Sequence, residues 1–152
     1  MIDLEEIHLA LRAILSGVAE LPTLRAWENV DFTPSASQPS VSEEMGQSSD
    51  RLLSGTAANG TVETTGLYVV KLFGIAGRGD ADIREIVTAI KAAFPIGAGT
   101  TALDSVDTLR IEGDAGYDVS QILSIGHGKS QCTLTIPWLA YWRNAAVLSL
   151  TA

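Results

Sequence analysis

Apolar positions along this 152-residue chain recur with two different periods, and they change over within one block, residues 66–94. Leu67-Tyr68-Val69-Val70-Lys71-Leu72-Phe73 is rich in β-branched and aromatic residues, the composition of a buried strand. Tyr68, Val70 and Leu72 fall on one face, and Leu67, Val69, Lys71 and Phe73 on the other. Both faces are largely apolar, which predicts a central strand covered on each side. The glycine-rich segment 74–79 interrupts the pattern as a turn. Beyond it Ile83, Ile86, Val87, Ile90 and Phe94 recur at helical spacing. Asp80 or Asp82 can cap this helix, with Glu85 completing a capping box after Asp82, and Pro95 ends it.

A second helical stripe, Leu4, Ile7, Leu11, Ile14, Leu15 and Val18, predicts an amphipathic helix over residues 3–21. Asp3 and Glu6 have capping-box spacing, and Pro22 follows. Residues 24–32 read as a short strand. Residues 33–50 are dominated by Ser, Pro, Gln and Glu, with Val41 and Met45 the sizeable apolar side chains. They read as a polar segment that holds a short edge strand near Val41 or is a loop that orders on a partner. Asn59-Gly60 marks a hairpin between 51–55 and 61–65, whose returning arm continues as one extended segment over 61–75. After a Gly/Thr-rich loop at 95–105, residues 106–112 read as a strand and 113–116 as a turn. Residues 119–125 and 130–142 then form a last hairpin. In its second arm Cys132, Leu134, Ile136, Trp138, Ala140 and Trp142 share a face, and Pro137 predicts an edge position or a bulge. The tail from residue 143 to 152 is apolar without capping signals.

This order predicts an α+β fold: a mainly antiparallel or mixed β-sheet with two helices packed on one face, plus β-hairpins. A single domain over 1–152 is the simplest division, with 33–60 as the polar loop and hairpin region.

Composition supports a folded domain. Hydrophobic residues make up 46% of the chain and charged residues 18%, and the mean hydropathy is positive. That balance is apolar for a lone soluble protein and points to surface buried between subunits. No apolar run reaches the ~20 residues of a membrane span, and the acidic start, Asp3 to Glu6, is unlike a signal peptide. The single cysteine, Cys132, forms no internal disulfide and suits a reducing compartment. Asn59-Gly60-Thr61 has the form of a glycosylation acceptor but reads as a turn. The net charge is −8, with ten acids against three bases in residues 1–66. Such a balance opposes sequence-independent nucleic-acid binding, which rests on Lys and Arg neutralising phosphates.

Candidate chemistry is sparse. Gly74, Gly77 and Gly79 follow a strand and precede a helix, but their G-x-x-G-x-G spacing is not the dinucleotide-binding pattern, and no P-loop lysine follows. His8 and His127 lack a second ligand at metal-binding spacing. His127 and Cys132 can approach across the last hairpin, yet Cys132 on an apolar strand face reads as packing. Glu43 and Glu44 sit in the polar segment and read as solvated. Asp80 and Asp82 are explained as helix caps. No catalytic, cofactor or metal residue is assigned, and the chain reads as a non-enzyme. The aromatic strand ends read differently: Trp27, Phe32, Tyr141 and Trp142, with Leu67, Val69 and Phe73 of the central strand, are the expected interface residues.

Several segments together resemble a known family. These are the helix Ile7-His8-Leu9-Ala10-Leu11-Arg12-Ala13-Ile14-Leu15, the stretch Ala26-Trp27-Glu28-Asn29-Val30-Asp31-Phe32-Thr33-Pro34, the strand Gly66-Leu67-Tyr68, and the late Ile136-Pro137-Trp138. They are similar to the tail terminator, or tail completion, proteins of long-tailed bacteriophages and prophages, over most of residues 4–142. The resemblance implies a virion structural protein, made in the host cytoplasm and placed at the head-proximal end of the tail. It implies a six-subunit ring that caps the finished tail tube and offers the surface that joins tail to head. The partners so implied are sister copies, the tail tube protein and the connector or neck proteins, with DNA passing through the lumen unbound. The competing readings are a head–tail connector or neck subunit, and a small soluble enzyme or ligand-binding domain built on the 74–79 turn.

Overall fold

The computed structural model describes residues 2–27, 38–55, 59–75, 81–97, 103–112, 118–126 and 129–144. Helix α1 spans Leu4–Ser16, and its stripe Ile7, Leu11 and Leu15 is fully buried. It starts where the Asp3 carboxylate accepts from the Glu5 and Glu6 N–H groups, at 3.0 and 3.3 Å. Glu6 does not close the predicted capping box. Its carboxylate accepts instead from the N–H and hydroxyl of Ser105, while the Asp3 N–H donates to the Ser105 hydroxyl. The helix start is thereby tied to the loop 103–107. The Gly17 N–H bonds back to the carbonyls of Ala13 and Ile14, so the helix ends before residue 21. Val18 and Leu21 are buried just beyond it.

Among the described residues there are seven strands, β1 (Leu24–Ala26), β2 (Ser40–Ser54), β3 (Gly60–Ile75), β4 (Thr108–Ile111), β5 (Asp118–Val119), β6 (Leu123–Gly126) and β7 (Lys129–Asn144). Helix α2 (Ala81–Ala93) lies between β3 and β4 in sequence. The strands form one mixed sheet of order β1-β2-β3-β7-β4, with β5 and β6 also on the outer flank of β7. Only β1 and β2 run parallel; the other pairs are antiparallel. The fold is therefore α+β, as the pattern predicted.

One hydrophobic cluster joins the stripes of both helices to the even-numbered side chains of β3 and β7. Ile83, Ile86, Val87, Ile90 and Phe94 of α2 and its end pack there, as do Tyr68, Val70 and Leu72. From β7 come Cys132, Leu134, Ile136, Trp138, Ala140 and Trp142. Each large side chain of this kind stabilises by ~1.5–3 kcal/mol on burial. Both helices lie on this face of the sheet.

Three expectations change. The part of the polar segment from 40 to 50 is strand, continuous with the expected hairpin arm at 51–54, because its stability comes from the ladder to β3 and needs few apolar side chains of its own. Pro137 lies in an interior strand, not at an edge. Its carbonyl accepts from the Glu112 N–H at 3.0 Å, so its absent N–H faces the same flank, in the gap where β4 has ended at Trp138 and β5 begins at Thr135. Among the described residues, neither β4 nor β5 pairs with Pro137, a position where the absent N–H breaks no ladder bond between described strands. Thirdly, β3 is central but not covered on both faces, since its odd-numbered side lies away from the helices. The described part of the first strand is only Leu24–Ala26; residues 28–32, the turn residues 76–80 with Asp80, His127 and the tail 145–152 lie outside the described residues.

Candidate assembly surface

The face of the sheet without helices is set by the register. Opposite Leu67, Val69 and Phe73 on β3 stand Pro137, Thr135 and Gln131 on β7. On β2 the neighbours of Val69 and Lys71 are Glu44 and Ser42. Tyr141 pairs with Glu63 and so shares this face. Four of the seven expected interface residues, Leu67, Val69, Phe73 and Tyr141, thus come together on one side of the sheet. Leu67 is 37% exposed, Val69 and Tyr141 are half-buried, and Phe73 is buried. Around them run cross-strand ion pairs, Lys71 to Glu44 at 3.5 Å and Arg51 to Glu63 at 3.2 Å. Arg110 of β4 donates to the Tyr141 hydroxyl at 3.3 Å and lies against its ring. Exposed pairs of this kind add little stability. The result is a face with a partly exposed apolar centre and a rim of paired charges.

The other expected residues lie elsewhere. Trp142 is buried on the helix side, and its indole N–H donates to the Thr64 hydroxyl at 2.9 Å; that hydroxyl donates in turn to Asp50 at 2.6 Å. Trp27, just past β1, is half-buried with the Arg12 guanidinium 5.2 Å above its ring. Phe32 lies outside the described residues.

A polar cluster missed by sequence reasoning sits under α1. Glu43 is only 3% exposed and His8 2%, so Glu43 is not solvated as expected. Its position opposite Val70, an inward-facing residue of β3, turns it into the core. One carboxylate oxygen accepts from His8 Nε2 at 2.6 Å and the other from Arg12 Nε at 2.8 Å. His8 and Arg12 are one helical turn apart, so a single carboxylate clamps α1 to β2. The only available signal was the i, i+4 pair of basic side chains beside an otherwise apolar stripe. The Tyr68 ring meets His8 edge-on at 6.1 Å. This network is enclosed, and the geometry is that of a structural clamp.

Gly74, the first glycine of the suspected phosphate turn, has a packing role. A side chain there would meet Ile83 Cδ1 at 2.7 Å and Ser130 Oγ at 2.9 Å, so the glycine lets β3 approach the start of α2 and β7. Among the described residues no group of three or more His, Cys, Asp or Glu is placed to hold a metal. The Cys132 thiol is buried, which pushes its pKa up, partly offset by a hydrogen bond with Ser120.

The sheet gives one face to its own core and carries no helix on the other among the described residues. A family model described as "Phage tail terminator protein" matches residues 6–130, and the chain belongs to that family. Its role is accordingly structural, in the phage tail, among tail components. A solved structure superimposes with a TM-score of 0.60 at 16% identity, covering 92% of this chain and 96% of that one; at this identity the likeness bears on the fold alone. No curated protein matches the chain. Among the described residues no helix is long and apolar enough to cross a membrane.

Proposed function

We propose that this protein, acting as one domain, forms a six-membered ring that caps the tail tube at its set length and then presents the joining surface for the head. The observation that carries this reading is the family match over residues 6–130. The helix-free face with Leu67, Val69 and Tyr141 supports it, because a ring needs two different complementary patches on every subunit. The work required is adhesion and not bond making, so no catalytic group or cofactor takes part. The tube protein and the connector or neck proteins are the partners above and below the ring. The net charge of −8 suits a lumen that DNA crosses without sticking, since an acidic wall repels phosphate.

Electron microscopy of lysates from phage lacking this gene tests the proposal. The expected result is tail tubes of uncontrolled length that carry no head, with normal tails restored by the gene in trans. Free tails of normal length in the deletion would overturn it in favour of a connector role.

A further inference from the structure

Positive and negative charge gather on different sides of this molecule. At one end of the helix-free face, register places Arg51 opposite Glu63, Arg143 opposite Thr61 and Arg110 opposite Leu139. The three arginines thus start within roughly 14 Å of one another along the strands, and within three strand spacings, again roughly 14 Å, across them. Glu63 is the only acid that the described strands place at this end of the face, and Arg51 already takes it. Arg143 is exposed and has no ion-pair partner among the described residues. Leu67, opposite Pro137, continues the patch toward the apolar centre. In a chain of net charge −8, this surplus of arginine is a local exception.

The opposite sign gathers at the start of α1. Asp3, Glu5 and Glu6 lie there, and the hydrogen bonds of Asp3 and Glu6 with Ser105 bring Asp104 to the same corner. Residues 2–6 and 103–107 contain no Lys or Arg. Asp3, Glu5 and Asp104 are exposed, and Leu4, between the first two in sequence, is 43% exposed.

We propose that the arginine end of the helix-free face docks the acidic corner of a second copy, with Leu4 meeting Leu67. Guanidinium groups suit the task, since each can hold a carboxylate through two parallel N–H donors. The two patches cannot meet within one copy, because α1 packs on the other side of the sheet. Nucleic acid would satisfy the arginines through its phosphates but would leave Leu67 and Val69 without an apolar counterpart. A second copy offers carboxylates and a leucine together. Each subunit then receives a corner on its face and gives its own to the next, a heterologous contact of the kind that closes a ring. The inference rests on the ring reading above and names the two surfaces that join its members.

Sedimentation velocity of the full-length chain at low salt, over a range of concentrations, tests it with two charge-reversed variants. Arg51→Glu/Arg143→Glu reverses the face, and Glu5→Arg/Asp104→Arg reverses the corner. All four side chains are exposed, so both variants should melt near the parent. The expected result is that the parent self-associates, less so as salt is raised. Each variant alone should associate at least about tenfold more weakly, because like charges now face each other. An equimolar mixture of the two should recover association: the unchanged face of one meets the unchanged corner of the other, and the reversed patches match in turn. A parent that stays monomeric at every concentration, variants that associate like the parent, or a mixture that fails to recover would overturn the proposal. Duplex DNA retained by the parent and released by Arg51→Glu/Arg143→Glu would overturn it in favour of a nucleic-acid site. None of these readouts involves tail length, so their failure removes this contact alone, whereas normal-length tails in the deletion phage remove the ring reading.

Discussion

The indole of Trp138 lies across the position that a side chain of residue 66 would occupy. The two residues are directly paired across β3 and β7, and a methyl group on Gly66 would meet Cζ2 and Cε2 of Trp138, the latter at 2.6 Å. Trp138 is among the largest fully buried side chains, and it lies flat because its cross-strand neighbour has no Cβ. Gly66→Ala is therefore expected to destabilise by about 1–3 kcal/mol, the ordinary cost of overfilling a packed core, with Gly66→Val worse. Chemical denaturation followed by tryptophan fluorescence checks this. A neutral Gly66→Ala would mean that the ring has room to move.

The clamp under α1 makes a second prediction. Glu43→Ala strands His8 and Arg12 beside a buried void, and removing one member of a buried ionic network costs about 3–5 kcal/mol. Glu43→Gln keeps the shape and one acceptor, so its cost should be smaller. The same denaturation experiment should show the Ala variant unfolding at markedly lower denaturant, with the Gln variant between it and the parent. Equal midpoints for all three proteins would show that the network contributes nothing net.

The parts of this fold legible in the sequence are those where side-chain period and burial agree. The stripes Ile7–Leu11–Leu15 and Ile83–Val87–Ile90, and the alternation from Cys132 to Trp142, each named its buried face. Only the end of strand β2, the hairpin arm at 51–55, was legible; residues 46–50 are polar or small on both faces, and a ladder of backbone hydrogen bonds leaves no mark in side-chain period. Glu43 was misplaced for the same reason: without the strand, nothing assigned it to the inner face. Pro137 was read as marking an edge or a bulge because the rule concerns its own N–H, whereas the described strands β4 and β5 that flank its position belong to other segments. Of the helix-free face, the apolar odd positions of β3 were visible, but their lying away from the helices depends on both helices choosing the even side.

The buried Cys132 gives a pH-dependent prediction. Its thiol pKa is raised, chiefly by burial, so the folded protein holds the proton at a pH where the unfolded chain has begun to release it. The group's contribution to stability is then fully present below the ordinary thiol value of ~8.5 and is lost as pH rises beyond it. Alkylation of the native protein by iodoacetamide should be slow at pH 8, and its rate should climb at a higher pH than for the denatured chain. Cys132→Ala should flatten the alkaline fall in melting temperature. Rapid native labelling at neutral pH would contradict this burial.

The helix-free face provides the most direct test of what the protein is built for. Leu67→Lys with Val69→Lys places two charges at its apolar centre, where the native side chains are partly open to solvent in the single chain. Substitutions at such positions shift stability by about 0.5 kcal/mol each, so the purified variant should melt close to the parent. If this face meets a sister subunit or the tube, two unpaired ammonium groups must be desolvated in the contact, a cost that grows steeply once water is excluded. The variant should then fail to restore normal tails to phage lacking the gene. Ala92→Lys, on the exposed side of α2, adds the same kind of charge on the opposite face and should complement. A Leu67→Lys/Val69→Lys protein that restores tails of normal length would exclude this face from the assembly, because no tight interface accommodates both charges at its centre.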